Sequence, residues 1–155
     1  MSSITLDEIC TTLGTLQQRI QASMQSLADP ITLASLPALG AEWQGGRFAG
    51  VITQPNGTHC AVVLLPGQGK GLTWSAATTW AAKQGGQLPT RPMAALLFAN
   101  VKAYIPSSGW HWTNSPNADN DAHAWYCFFD HGYQNTGHKS YAGCAVAVRL
   151  HPLTH

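Results

Sequence analysis

The chain has 155 residues, of which 45% are hydrophobic and 10% charged, and its net charge at pH 7 is +1. Globular proteins carry ~25% charged residues on average, and no basic run stands out, so the sequence lacks the electrostatic footprint of a nucleic-acid-binding protein. No stretch approaches the ~20 apolar residues of a membrane span, and the start MSSITLDEIC lacks a basic region followed by an apolar run, so we expect cytoplasmic synthesis without a signal peptide and no membrane insertion.

The first predicted element is a capped helix with an apolar stripe. Thr5 and Glu8 have capping-box spacing, and the helix should run from Leu6 to Ala28 because Asp29-Pro30 stops it. Apolar residues recur at three- and four-residue steps, at Leu6, Ile9, Leu13, Leu16, Ile20 and Leu27. This pattern predicts that residues 1–28 form a short homotrimeric bundle. The alternative is a helix packed against its own domain.

Residues 29–46 are rich in Pro, Gly and Ala without a clear period, which is typical of a linker. The domain proper is therefore expected over residues 47–155. Arg47–Thr53 and Thr58–Leu65 are short β-rich runs around the turn tripeptide Pro55-Asn56-Gly57, and they predict a hairpin. The glycines at 67, 69 and 71 are interpreted as a turn.

Two helices and several strands should follow. Thr73 can cap a helix over Trp74–Gln84, and Thr90 can cap a second one with Pro92 in its first turn and Tyr104 on its apolar face. From Trp110 onward the pattern favours strands, at Trp110–Trp112, Ala124–Phe129 and Cys144–Leu150. A strand pair, two helices and then several strands predict an α+β domain.

The sequence offers little for catalysis or metal binding. It has no GxSxG, HExxH or phosphate-binding glycine loop, and none of its seven carboxylates lies between Gln44 and Ala118. Asp119, Asp121 and Asp130 stand near three histidines in a mix that could suit a divalent cation, but turn chemistry explains them better. We therefore expect no enzymatic activity, no cofactor and no metal. The cysteines, expected to be buried reduced thiols, are Cys10, Cys60, Cys127 and Cys144.

The segment from about Gly50 to Leu150 carries an ordered set of motifs. They are Gly71-Leu72-Thr73-Trp74, Trp80-Ala81, Gln84-Gly85-Gly86, Leu88-Pro89-Thr90-Arg91, Leu96-Leu97-Phe98-Ala99-Asn100, Trp112-Thr113, Ala124-Trp125 with Phe129 and Gly132, Lys139, and Ala145-Val146-Ala147-Val148-Arg149. This set resembles a bacterial and phage domain family of unknown function, also seen as the C-terminal domain of a collagen-like adhesin. The resemblance implies a C-type-lectin-like fold. The same family is also similar to the variable proteins of diversity-generating retroelements, including a phage tail-fibre tropism determinant.

The resemblance also suggests where a ligand would bind. Strand alternation places Trp125, Cys127 and Phe129 on one face, and the resemblance marks Trp125 and Phe129 as core, so Tyr126 and Phe128 should point outward. The candidate ligand-binding residues are Asn114, Asn117, Asp119, Tyr126, Phe128, Asp130, Tyr133, Asn135, Thr136, His138 and Tyr141. In the diversified relatives the corresponding positions are hypervariable. The alternative is that they are only surface-loop residues. Residues assigned to the scaffold are Trp74, Trp80, Trp110, Trp112, Trp125 and Arg149.

These observations favour a non-enzymatic receptor-binding or adhesin-type protein of a phage or prophage, carried in the virion at a tail-fibre tip. Its expected partner is a bacterial surface glycan or an outer-membrane protein, and not a nucleic acid. An alternative is a structural virion protein that contacts other phage subunits. A third hypothesis, an enzyme related to sulfatase-modifying oxidases, would need Cys127 and Cys144 to approach each other across neighbouring strands.

Overall fold

The computed structural model describes residues 4–28, 30–106 and 109–154, and the chain divides into two compact units, residues 1–31 and 32–155. The described residues contain three α-helices and two β-sheets, so the prediction of a mixed α+β protein is confirmed. No helix within these residues is both long and apolar enough to cross a membrane.

The first unit is the helix α1, Leu6–Ala28, with the predicted bounds. Its capping box is present, because the Thr5 amide donates to the Glu8 carboxylate (2.8 Å) and the Glu8 amide donates to the Thr5 hydroxyl (3.3 Å). Cys10 is exposed, so the prediction that it is buried is wrong. The large aliphatic side chains of the stripe are between 44% and 80% exposed, at Leu6, Ile9, Leu13, Leu16 and Ile20. Leu27 and Asp29 lie outside the residues whose side chains are described.

The second unit contains nine strands and two α-helices among its described residues. In chain order they are β1 (Glu42–Trp43), β2 (Gly46–Thr53), β3 (His59–Leu64), β4 (Gly69–Leu72), α2 (Trp74–Lys83), α3 (Arg91–Val101), β5 (Trp110–Pro116), β6 (His123–Phe128), β7 (Gln134–His138), β8 (Gly143–Ala145) and β9 (Val148–Pro152). One sheet has the order β1-β2-β3-β9, and the other β4-β8-β5-β6-β7.

The predicted linker over residues 29–46 is wrong from Thr32 onward. Thr32 forms a β-bridge with Thr154, and Leu33–Ser35 form a short 3-10 helix. Strand β1 pairs with β2 through a two-residue turn at Gln44-Gly45, in which both residues have positive φ (51° and 79°). Such turns usually carry Asn, Asp or Gly at the first position, so the glutamine concealed this hairpin in the sequence.

The predicted hairpin of β2 and β3 and both predicted helix starts are confirmed. The Thr73 and Thr90 hydroxyls accept from the Ala76 amide (3.3 Å) and the Met93 amide (3.5 Å). Tyr104 does not extend the apolar face of α3, because that helix ends at Val101 and Tyr104 lies in a following 3-10 turn, 49% exposed.

Two predictions about strands fail in the second half of the domain. The glycine-rich stretch expected to be a turn contains strand β4. The single strand expected at Cys144–Leu150 is two strands, because β8 pairs with β4 and β5 whereas β9 pairs with β3 in the other sheet. Residues 145–148 thus carry the chain from one sheet to the other.

The core consists of two clusters that share these strands. Along residues 145–148, Val146 and Val148 belong to the first cluster, which contains the buried face of α3, and Ala145 and Ala147 belong to the second, which contains that of α2. Strand β3 alternates in the same way, so its apolar run is buried on both faces. This arrangement fixes β5 and β6, on which the candidate site is built.

Candidate functional site

A continuous group of rings lies along one face of β5 and β6 and the turn that follows β6. We call it the aromatic surface; it comprises Trp110, Tyr126, Phe128, His131 and Tyr133. The ring centroids of Trp110 and Tyr126 are 5.0 Å apart, and those of Tyr126 and Phe128 are 5.7 Å apart. Phe128 stacks on His131 at 5.3 Å. Each ring therefore contacts the next, at separations typical of favourable aromatic pairs.

The strand register explains why these rings share a face. Trp110 lies opposite Phe128, and Trp112 lies opposite Tyr126, in the antiparallel pairing of β5 with β6. Directly opposite residues point to the same side of a sheet. Trp112 is fully buried and Trp110 packs on it at 4.7 Å, edge to face. The aromatic surface is thus anchored at one end in the second core cluster.

The prediction that Tyr126 points outward is only partly correct, because its side chain is half-buried. It packs against the second core cluster and lies beside Gly137, where a Cβ would be 3.3 Å from its ring. On the opposite face of β6, the prediction of core residues agrees better with the structure. Cys127 and Phe129 are both buried in the first core cluster. Phe128 is also half-buried, so Tyr133, at 51% exposed, is the most accessible tyrosine or phenylalanine of the aromatic surface.

The turn between β6 and β7 holds the exposed end of the surface. The Gly132 amide donates to the Phe128 carbonyl (2.8 Å), and Gly132 itself has φ +79°, with the Phe98 ring 2.8 Å from where a Cβ would be. The predicted residue Asp130 holds His131 through a 2.5 Å contact between its carboxylate and Nδ1. The His131 ring stacks on Tyr133 at 6.1 Å, with only 14° between the ring planes.

Polar groups flank the rings. The predicted residue Asn135 donates from Nδ2 to the Tyr133 hydroxyl over 2.8 Å. Near Gly137, Tyr141 is 60% exposed and lies 5.8 Å from the His138 ring, whose Nδ1 is 2.6 Å from the Ser140 hydroxyl. The structure therefore places Tyr133 with Asn135 beside the aromatic surface. It places His138 with Tyr141 at the end of β7, where His138 pairs with His123 and so starts from the same sheet face as Thr136.

Four predicted residues lie elsewhere. Asn117 and Asp119 belong to the β5–β6 turn, where the Asn117 side-chain oxygen accepts from the Asp119 amide (2.9 Å), an Asx turn that shapes the loop. Thr136 pairs with Trp125 and so lies on the sheet face opposite the aromatic surface. Asn114 is exposed in β5, and its amide donates to the Pro89 carbonyl (2.7 Å).

Sequence reasoning missed a second polar group around Arg91. The Arg91 guanidinium carbon lies 3.4 Å from the Trp125 ring centroid, and its Nε donates to the Gln134 side chain over 3.1 Å. A cation in the first turn of a helix is disfavoured by the helix dipole. The unfavourable position of this cation at the start of α3 is the feature of the sequence that could have indicated a contact of Arg91 outside its own helix.

The cysteines of this region are poorly suited to nucleophilic chemistry. Burial first, and then the nearby negative charge of Asp130, together raise the pKa of the Cys127 thiol to about 11. Burial also raises the pKa of Cys144. Both thiols are therefore protonated at neutral pH, whereas thiolates are the reactive form.

The two cysteines are also not on neighbouring strands. Cys127 and Cys144 both lie level with His111, on β6 and β8, with β5 between them. Strands two positions apart are about 9.6 Å apart, beyond the roughly 7 Å that a disulfide can bridge. The approach required by the oxidase hypothesis is therefore absent.

His111 itself is fully buried. Its Nε2 is 2.8 Å from the Gln68 side-chain nitrogen, and burial lowers its pKa to about 4. Within the described ranges, no group of three or more His, Cys, Asp or Glu side chains is arranged to hold a metal ion.

No protein-family model matches this chain, and no curated protein matches it significantly. The resemblance set out from the motifs therefore stays a prediction.

Proposed function

We propose that this chain is a non-enzymatic receptor-binding protein of a phage or prophage, with a C-type-lectin-like domain that recognises a bacterial surface glycan or an outer-membrane protein. The observation that carries the proposal is the aromatic surface, a row of contacting rings that ends in the exposed residues His131 and Tyr133. Rigid rings beside adaptable amides and hydroxyls are the composition that recognition surfaces favour.

The fold proposal rests on the motif resemblance over residues 50–150 and on the order of elements. The β2–β3 hairpin, strand β4, two helices and a further set of strands follow one another, and β9 then returns to pair with β3. This order is compatible with the C-type-lectin-like fold that the resemblance implies.

The N-terminal helix supports a homotrimer. Five large aliphatic side chains of α1 follow a heptad pattern and are substantially exposed in the single chain. A second and third copy of α1 are the occupants proposed for this stripe, since heptad repeats are the pattern by which helices pack on one another. Three copies of a weak site would gain avidity on a repetitive cell surface.

The proposal is tested by flow cytometry with the labelled full chain and cells of the bacterium that carries the gene or its phage. We expect the double variant Tyr133→Ala/Tyr141→Ala to weaken binding at least tenfold, because both side chains are more than half exposed. Leu33→Ala, which removes a 69% exposed side chain remote in sequence, is the matched control.

Two outcomes would overturn the proposal. One is cell binding that is unchanged in the double variant. The other is a parent protein that binds no cells but binds purified tail or baseplate subunits, which would identify a structural virion protein instead.

A further inference from the structure

A cleft of about 730 Å³ lies beside the β1–β2 hairpin, and it shares no residue with the aromatic surface. Its lining includes the hairpin residues from Glu42 to Arg47, the last residue of β3 with the three residues after it (Leu64–Gly67), and Tyr104. The volume falls within the ~300–1,000 Å³ of typical small-molecule sites. The cleft is therefore large enough for a ligand and separate from the proposed recognition surface.

Arg47 is held in place before any ligand arrives. Its guanidinium carbon lies 4.3 Å from the Tyr104 ring centroid, one terminal nitrogen is 3.3 Å from the Glu42 carboxylate, and the other donates to the Gly40 carbonyl over 3.3 Å. A guanidinium has five N–H donors, so donors remain after these contacts. The positive charge is already matched by Glu42, and an anionic ligand would have to compete with that carboxylate.

The aromatic lining is also fixed. Trp43 packs edge-on against Phe48 at 5.7 Å and against His151 at 5.5 Å, so its indole is clamped between two neighbours. Tyr104 rests against Gly40, where a Cβ would be 3.5 Å from its ring. The cleft thus combines rigid aromatic carbon with planar polar groups that carry no net charge.

Gln44 adds an unusual backbone conformation to the cleft. It is the one non-glycine residue with positive φ among those described, at 51°, and its exposed side chain lines the cleft. Asn, Asp or Gly would fit this turn with less strain. Strained residues cluster at functional sites, and a glutamine here places a long amide, both donor and acceptor, at the cleft.

We propose that this cleft binds an uncharged saccharide of one or two rings. The apolar C–H face of a sugar ring packs on aromatic carbon, and its hydroxyl groups match planar donors and acceptors such as the Arg47 guanidinium, the Glu42 carboxylate and the Gln44 amide. A charge-matched arginine favours such a ligand over a phosphate or carboxylate. The site is independent of the aromatic surface.

The test uses the full chain and saturation-transfer NMR with glucose, galactose, N-acetylglucosamine, lactose, cellobiose and chitobiose at millimolar concentrations. We expect at least one of these sugars to bind. Gln44→Gly should weaken that binding at least fivefold, the loss expected for one hydrogen bond, while thermal stability is kept or raised because strain is relieved. Glu42→Gln should weaken it as well.

Leu33→Ala, a 69% exposed position outside both the cleft and the aromatic surface, serves as the control and should bind the sugar as the parent does. The double variant Tyr133→Ala/Tyr141→Ala tests whether the sugar binds at the aromatic surface instead. The proposal is overturned if no sugar of the panel binds, or if inorganic phosphate or citrate binds in preference to all of them. Sugar binding that is lost in the double variant and kept in Gln44→Gly would also overturn it. That last result would place the saccharide on the aromatic surface and leave the proposed function standing.

Discussion

Trp112 donates a hydrogen bond from its indole Nε1 to the carbonyl oxygen of Leu72 over 2.9 Å. The bond joins the middle of β5 to the end of β4, just before α2 begins, and it lies in a region where Trp112 is fully buried. A second hydrogen bond joins the same two parts of the fold, because the Trp74 indole donates to the Thr113 carbonyl, also over 2.9 Å. Together the two indoles attach the start of α2 to the strand that carries the aromatic surface.

Trp112→Phe should therefore be costly. It removes a fully buried hydrogen bond and leaves a cavity, and we expect the free energy of unfolding to fall by about 2–4 kcal/mol. Urea unfolding followed by circular dichroism measures the change. Trp110→Phe, at the neighbouring half-buried position, should cost clearly less. Equal losses in the two variants would show that the bond to Leu72 contributes little.

Acid should weaken the fold through His111. Burial lowers the pKa of this imidazole to about 4 from its ordinary value of 6.5, so the unfolded chain binds the proton more readily than the folded chain between these values. Stability should be highest above about pH 6.5 and should fall by up to about 3 kcal/mol as the pH decreases to about 4, levelling off below. The pKa of His151 is lowered by burial and then by Arg149, which acts in the same direction.

The measurement is the urea midpoint at several pH values, with His111→Gln as the comparison. The variant should show a shallower dependence over this range. A direct check that needs no variant is NMR of the wild-type imidazoles at about pH 5, where His111 should still be neutral. A charged His111 at that pH would contradict the prediction.

Gly132 should resist substitution more than a glycine in open space. Gly132→Ala places a Cβ at φ +79° and within 2.8 Å of the Phe98 ring, whereas Gly57→Ala has a similar φ of +86° and meets nothing within 4 Å. We expect Gly57→Ala to cost about 1–2 kcal/mol from backbone strain alone and Gly132→Ala to cost more. Thermal unfolding compares them, and equal costs would mean that Phe98 moves away freely.

The oligomer should depend on the stripe of α1. Leu16→Glu places a charge among the exposed aliphatic side chains, and Gln18→Glu places the same residue outside that stripe. Light scattering should find a trimer for the parent and for Gln18→Glu, and a monomer for Leu16→Glu. A monomeric parent would contradict the prediction at once.

Local chemistry made much of the fold predictable. Thr5, Thr73 and Thr90 stand at helix starts with the side-chain oxygen that such positions need, and Pro55-Asn56-Gly57 stands at the hairpin turn. Each of these signals depends on neighbours within a few residues, so the sequence carries it directly.

The errors arose where distant contacts decide the structure. Residues 144–148 are all apolar, and alternation cannot show where such a chain leaves one sheet for another. Strand alternation predicts the correct face of β6 for Tyr126, but it cannot show that Trp110, sixteen positions earlier in the chain, packs against the Tyr126 ring. The stacking of Arg91 on Trp125 is a long-range contact of the same kind.

The passage of residues 145–148 between the two sheets has a consequence for how the chain folds during synthesis. Strand β9 pairs with β3, whose residues precede it by more than eighty positions, for example Val63 with Arg149. A chain synthesised as far as β8 therefore has β2 to pair with one edge of β3, but it does not yet have β9, which pairs with the other edge. Until β9 follows, the apolar β3 has an unpaired edge, so this part of the sheet closes last and over a long separation in sequence.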